Sequence, residues 1–141
     1  MTKDVLVSVR GMHQMTEDED ELELISPGRY LNKGGRHYIH YEEAVEGEQG
    51  TIRNLIKGDE RKLEVVKSGL LNSSMVFEAG KKNLSCYQTP FGDMMVGVTT
   101  KEIRITEEEE HLSIRIQYAL ELNYEHQADC RIQIHVKPQR V

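Results

Sequence analysis

Residues 38–43 concentrate the side chains of this sequence that are best suited to chemistry: two tyrosines, a histidine and two glutamates. In an extended strand, successive side chains point to opposite faces. Ile39 and Tyr41 predict that their face, which also carries His37 and Glu43, lies against the protein interior. The opposite face would then carry Tyr38, His40 and Glu42.

Glu43 would in that case lie where the strand leaves the interior, near the mouth of a barrel if the sheet closes into one. A carboxylate held there with a raised pKa is suited to act as a general base or as an anchor for a ligand. The alternative is that Glu42 and Glu43 form the solvated end of a strand that enters an acidic loop. The sequence leaves both interpretations open.

Three further residues are candidates for binding a ligand. Tyr118 shares its strand face with five aliphatic residues, so its hydroxyl needs a partner inside the protein, either a ligand or a nearby backbone group. Tyr87 and Thr89 share one face of their strand, and Cys86 and Gln88 share the other. The sequence does not determine which of these two faces points inward. The candidate ligand-binding residues are therefore Tyr41, Glu43, Tyr87, Thr89 and Tyr118.

No pattern in the sequence indicates a metal, a cofactor or an assigned catalytic residue. His37 and His40 lie on opposite faces of one strand, and His111, His126 and His135 fall near hairpin ends or on the outward phase, so surface histidines are expected. The chain has no nucleophile motif and no glycine-rich phosphate loop followed by a helix.

The elements that must position these residues are strands, and the stretch from His111 to Val136 shows this most clearly. Every second residue from Leu112 to Leu122 is large and apolar, and the same alternation returns from Cys130 to Val136. Such alternation forms one apolar face only in an extended chain. We predict a long antiparallel hairpin, with Tyr118 opposite Ile132 or a neighbour two residues away, because a one-residue slip would expose one apolar row.

The rest of the chain repeats the same design with short connections. Gly34-Gly35 predicts a hairpin turn, Pro27-Gly28 a kink or bulge within a strand, and the acidic runs at residues 17–21 and 107–110 solvated turns. About ten strands result, and no segment carries a convincing helical stripe. We therefore predict one all-β domain over residues 1–141, an antiparallel meander closed into a barrel, which removes exposed sheet edges.

Composition restricts the partners and the compartment. The net charge is −6, with 24 acidic residues against 18 dispersed basic ones, which disfavours nucleic acid as a partner. No apolar run is long enough for a membrane helix, and the first residues lack the apolar block of a signal peptide. Cys86 and Cys130 lie in apolar phases of their strands, so we expect buried free thiols, no disulfide and a cytoplasmic location.

Several short motifs occur in a characteristic order along the chain. They are Gly28-Arg29-Tyr30, residues 38–43, Ser68-Gly69, residues 77–80, residues 87–92, Thr99-Thr100 and residues 118–120. In this order they resemble the YwiB-like bacterial family of unknown function. The resemblance implies a lipocalin-like (calycin) β-barrel in the cytoplasm. It brings no established activity, cofactor or catalytic residue.

Three hypotheses for the function follow. The first is a binding module that accepts a small, mainly apolar molecule in the interior or the mouth of the barrel. The second is an enzyme of hydrolase or isomerase type that uses Glu43, Tyr41 and His40 at the mouth. The third is a barrel filled by its own side chains that acts through contacts with another protein. The oligomeric state is not determined by the sequence.

Overall fold

A computed structural model describes residues 2–11, 23–70, 72–89 and 92–139 of the chain. Within these ranges ten strands form, and no helix that could cross a membrane is found there. The strands are β1 (Thr2–Arg10), β2 (Glu23–Lys33), β3 (Arg36–Ala44), β4 (Thr51–Gly58), β5 (Lys62–Gly69), β6 (Ser73–Glu78), β7 (Lys82–Thr89), β8 (Gly92–Glu108), β9 (His111–Leu122) and β10 (Glu125–Pro138). The acidic run at residues 17–21 lies outside the described residues.

The ten strands form one antiparallel sheet in the order β6-β5-β4-β3-β2-β1-β10-β9-β8-β7. Strands β1 and β10 are joined by a hydrogen-bonded ladder that runs from Val5 and Pro138 to Arg10 and Gln133. Strand β6 also contacts β7 and β8, which brings the two ends of the sheet together. The prediction of an all-β meander barrel is confirmed. Strands β6 and β7 are the two edges of the sheet, and we call the gap between them the seam.

The predicted hairpin forms the longest wall of the barrel. Its inward row from Leu112 to Leu120 is at most 5% exposed, as are Ile132, Ile134 and Val136. Ile132 pairs with Ile116, and Tyr118 pairs with Cys130, so the register is the predicted one shifted by two residues. A shift of two residues leaves both apolar rows on the same side of the sheet, so their side chains stay in the core.

Strand β3 is oriented as its apolar residues predict, with Ile39 and Tyr41 buried and His40 exposed. The turn at Gly34 and Gly35 has positive φ at both residues, which joins β2 to β3 as a tight hairpin. Residues 27–28 lie within one continuous strand, and the ladder between β1 and β2 passes through them without a shift in register. Gly28 lies opposite Tyr41, and a Cβ at Gly28 would overlap the His40 carbonyl oxygen.

The expectation of buried thiols is wrong for Cys86, which is exposed, while Cys130 is half-buried; both are free. Cys86 does share a strand phase with Leu84, but that phase of β7 faces outward. The register with the neighbouring strand decides this, because Leu84 pairs with Gly97, and the residues on either side of Gly97, Val96 and Val98, point inward. Leu84 packs over Gly97 on the outside of the barrel, although Leu84 itself remains 51% exposed.

Because the strands alternate in direction, the connections collect at two ends of the barrel. The turns at residues 34–35, 59–61, 79–81 and 109–110 lie at one end, together with the start of β1 and the end of β10. We call this the turn end. The connections at residues 45–50 and 123–124 lie at the other end, which we call the loop end.

Candidate functional site

Tyr30 and His37 meet at the turn end, where β2 turns into β3. The Tyr30 hydroxyl lies 2.6 Å from His37 Nδ1, and the two rings pack edge to face with centroids 5.8 Å apart. The Asn32 side chain also hydrogen-bonds the Tyr30 hydroxyl, while burial raises the pKa of Tyr30 above its ordinary value. The phenol therefore remains protonated and is available as a hydrogen-bond donor.

Glu107, at the end of β8, completes a chain of three polar side chains with His37. The Glu107 Oε1 atom lies 3.3 Å from His37 Nε2, and the His37 side chain is only 7% exposed. A carboxylate only accepts hydrogen bonds, so a hydrogen on Nε2 makes this contact favourable and leaves Nδ1 to accept from the Tyr30 hydroxyl. The orientation of the imidazole is thus restrained by partners on both sides.

Two cavities border this chain of side chains. One, of about 210 Å³, has buried apolar residues along one side and is lined by Val5, Leu112, Val136 and Pro138 together with Tyr30, Asn32, residues 107–111 and Lys137. The other, of about 590 Å³, is more polar and is lined by Asn32, Gly35, His37, residues 59–61, Ile105 and Glu107. Asn32 and Glu107 line both cavities, so we call the two together the turn-end site.

The prediction that the histidines lie on the surface is wrong for His37. Its strand phase, shared with Ile39 and Tyr41, carries it inside the barrel, where it is stabilised by Tyr30 and Glu107. Residues 107–110 are exposed, as predicted for a solvated turn. Glu107 in addition contacts His37 Nε2 at the turn-end site.

A second polar cluster lies inside the barrel toward the loop end and contains Glu43. Lys67 Nζ donates to Glu43 Oε1 at 3.0 Å and to Asn54 Oδ1 at 2.7 Å, while Asn54 Nδ2 donates to the same Glu43 oxygen at 2.9 Å. The Lys67 and Glu43 side chains are 11% and 13% exposed. The interpretation of Glu43 as a solvated strand end is therefore wrong. We call these three residues the lysine cluster.

Tyr41 lies beside the lysine cluster and is buried. Burial, with a smaller contribution from the negative charge of Glu43, raises the pKa of Tyr41 well above its ordinary value. Glu43 and Tyr41 are thus brought together, as their shared strand face predicted. His40 is on the outer face of β3 and does not join them.

Alkaline titration should report this burial of Tyr41. Above about pH 10 the unfolded chain releases the phenol proton and the folded chain retains it, so the free energy of unfolding should fall with pH by about 1.4 kcal/mol per unit. The variant Tyr41→Phe should lose that part of the slope in urea denaturation between about pH 9 and 12. Tyr124→Phe serves as the control, because Tyr124 is 69% exposed. Equal slopes in the two variants would contradict the prediction.

The other candidate ligand-binding residues lie elsewhere in the barrel. Tyr118 is buried, packs edge to face on Phe77 with centroids 5.0 Å apart, and hydrogen-bonds the thiol of Cys130. The backbone of Tyr87 and Thr89 belongs to β7, opposite Met94 and Gly92. The role of Tyr41, Glu43, Tyr87, Thr89 and Tyr118 in binding a ligand stays a prediction.

Sequence reasoning did not single out Tyr30, Asn32, His37 or Glu107. The signal for His37 was present, because a histidine in the buried phase of a strand needs hydrogen-bond partners. The signal for its partners was absent, since Glu107 lies in a run of four glutamates that has the composition of a solvated turn.

Comparison with known proteins adds the following. A family described as "Domain of unknown function (DUF1934)" matches residues 7–134. An uncharacterized beta-barrel protein, YwiB of Bacillus subtilis (strain 168), is 24% identical over 121 residues, which cover 86% of this chain and 84% of that protein. The crystal structure of the Bacillus subtilis ywiB protein superposes with a TM-score of 0.79 at 21% identity, covering 99% of this chain and 94% of that one.

Proposed function

This chain belongs to the DUF1934 family, and we propose that it is a binding module that holds a small molecule at the turn-end site. The observation that carries the proposal is the imidazole of His37, which lines the larger cavity and is buried between Tyr30 and Glu107, both of which line the smaller one. A polar group buried with defined partners on both sides, beside an open cavity, is suited to orient a ligand.

The smaller cavity supports a ligand with an apolar body and a polar head. Val5, Leu112 and Val136 are buried core residues that line one side of it. Tyr30 and Asn32 supply hydrogen-bonding groups at the same cavity. A mainly apolar wall with a few convergent polar groups is the usual composition of ligand sites, and the mouths of β-barrels are among their usual places.

The proposal extends to the class of barrel and to its compartment. An antiparallel up-and-down barrel with a ligand in its mouth is the arrangement of lipocalin-like (calycin) proteins, and we place this chain in that class. Both cysteines are free thiols, which supports a reducing compartment and hence the cytoplasm.

A second candidate function is acid–base catalysis at the same site. The order carboxylate, imidazole, phenol is favoured by the contacts of His37 on both ring nitrogens, a hydrogen bond with Tyr30 and a 3.3 Å contact with Glu107. In that order Glu107 orients the ring, and the Tyr30 oxygen can take a proton from a bound molecule's reacting group while its own hydroxyl proton passes to His37 Nδ1. Binding alone and catalysis are separated by whether a bound molecule is returned unchanged.

The binding function is tested by screening a library of small metabolites with saturation-transfer NMR and native mass spectrometry. A molecule that binds the wild type should bind Tyr30→Phe about tenfold more weakly, because one buried hydrogen bond is worth roughly 1.4 kcal/mol. Recovery of the molecule after incubation then shows whether it has been converted.

Tyr38→Phe is the matched control, because Tyr38 lies on the outer phase of the same strand as His37. It should leave the affinity unchanged. A molecule whose affinity falls with Tyr41→Phe or Glu43→Gln and is unchanged in Tyr30→Phe would place the ligand inside the barrel and contradict the turn-end site. If no molecule in the library binds, the remaining hypothesis is that the protein acts through contacts with another protein.

A further inference from the structure

A groove of about 260 Å³ lies on the outer face of the barrel, across strands β8, β9 and β10. Apart from Ile114, its lining forms two rows of directly paired positions, each row three strands wide. One row is Arg104, Arg115 and Gln133, and the other is Thr106, Ser113 and His135. All six side chains can donate hydrogen bonds, and none of them is a carboxylate.

The charges of this groove are unusual for a chain with a net charge of −6. Arg104 and Arg115 lie directly opposite each other on neighbouring strands. Like charges in this arrangement destabilise a sheet unless something between them compensates. Arg104 has an ion pair with Glu102 at 2.8 Å, whereas Arg115 has no ion pair in the part of the chain that the structure describes.

The second row is held in place by a contact between two of its side chains and by the neighbouring His111. The Ser113 hydroxyl lies 2.9 Å from His135 Nδ1, and His111 stacks on His135 with ring centroids 5.3 Å apart. These contacts fix the imidazole and the hydroxyl beside the two guanidinium groups. The groove therefore offers a preorganised set of donors around a positive centre.

We propose that this groove binds a small phosphorylated molecule through its phosphate group, with Arg115 and Arg104 as the principal contacts. Guanidinium groups match phosphate oxygens in geometry and charge, and the neutral donors of the second row can complete the coordination. The volume lies just below the roughly 300 Å³ at which pockets for larger ligands begin, which suits a small anion. The groove shares no lining residue with the turn-end site, although His111, which lines that site, stacks on His135 of the groove.

The test is a titration of the ¹⁵N-labelled protein with inorganic phosphate and pyrophosphate at constant ionic strength, with chloride as the reference anion. Saturable shifts are expected at the amides of residues 104–106, 113–115 and 133–135. Arg115→Gln should weaken binding about tenfold, because it removes a charge-assisted contact. Arg53→Gln is the matched control, since Arg53 is an exposed arginine on the outer face of β4, and should not change the affinity.

A variant that is expected to raise the affinity for phosphate separates an effect on binding from structural damage. Glu102→Gln frees the Arg104 guanidinium from its ion pair and should tighten phosphate binding about threefold. Melting temperatures of all variants confirm that they are folded. Shifts that do not saturate, shifts equal to those with chloride, or equal weakening by Arg53→Gln and Arg115→Gln would each overturn the proposal. Binding of phosphate-containing lipid vesicles, without binding of the free anions, would overturn it as well.

Discussion

Replacing Lys67 by methionine is expected to lower the free energy of unfolding by about 3 kcal/mol or more. The substitution leaves the Glu43 carboxylate inside the barrel without the ammonium group that lies 3.0 Å away. An ionised group that is mostly removed from water and has lost the opposite charge beside it is strongly unfavourable, whereas the intact pair is close to neutral for stability. Urea denaturation near neutral pH measures the effect.

The double variant Glu43→Gln/Lys67→Met should recover most of the loss, because it removes both charges together. Lys82→Met is the matched control: Lys82 pairs with Glu121 at 2.5 Å, but its side chain is 41% exposed. Exposed ion pairs contribute roughly 0–1 kcal/mol. A loss at Lys67 no larger than the loss at Lys82 would show that the lysine cluster is effectively solvated.

Truncating Phe77 to alanine is expected to cost about 3–5 kcal/mol, the range for removing a large aromatic side chain from a core. Phe77 is fully buried, lies opposite Leu63, and packs on the ring of Tyr118 in β9. It thereby connects β6, one edge of the seam, with the wall on the far side of β7 and β8. The loss of stability is measured by urea denaturation.

Hydrogen exchange distinguishes the role of Phe77 at the seam from an ordinary loss of core packing. In Phe77→Ala, the amides of β6 and β7 should exchange faster than the change in global stability accounts for. Ile39→Ala is the control, because Ile39 is equally buried but lies on β3, between two hydrogen-bonded neighbours. If exchange in β6 and β7 rises equally in the two variants, Phe77 has no special role at the seam.

The parts of the fold that the sequence predicts are those in which one strand face is unambiguously apolar. The row from Leu112 to Leu120 has a single possible inward face, and Ile39 and Tyr41 determine the orientation of β3 in the same way. Hydrophobic burial decides such strands locally, so alternation alone is sufficient to orient them.

Strand β7 shows where this reasoning ends. Leu84 and Cys86 lie in the more apolar phase, yet that phase faces outward because Leu84 pairs with Gly97 of β8, between the inward-pointing Val96 and Val98. The orientation of β7 therefore depends on a residue of another strand. A pattern within one segment does not contain that information.

In the candidate sites, too, the sequence predicts the direction of a side chain within its strand but not its partners on other strands. The inward phase of His37 and Glu43 was available from the sequence, and so was the proximity of Glu43 to Tyr41. Their partners come from elsewhere in the chain: Glu107 lies 70 positions after His37, and Lys67 lies 24 positions after Glu43. Without the strand order and register, no single glutamate or lysine could be selected from the 24 acidic and 18 basic residues.

The ladder between β1 and β10 has a consequence for how the chain folds. Among the described residues, all the remaining ladders join strands that follow one another in sequence, whereas this one joins Val5 to Pro138. Hairpins form locally and quickly, but bringing together segments so far apart requires closing a long loop, with the corresponding loss of chain entropy. We therefore expect the hairpins to form early and the docking of β1 on β10 to be the slow step that completes the barrel.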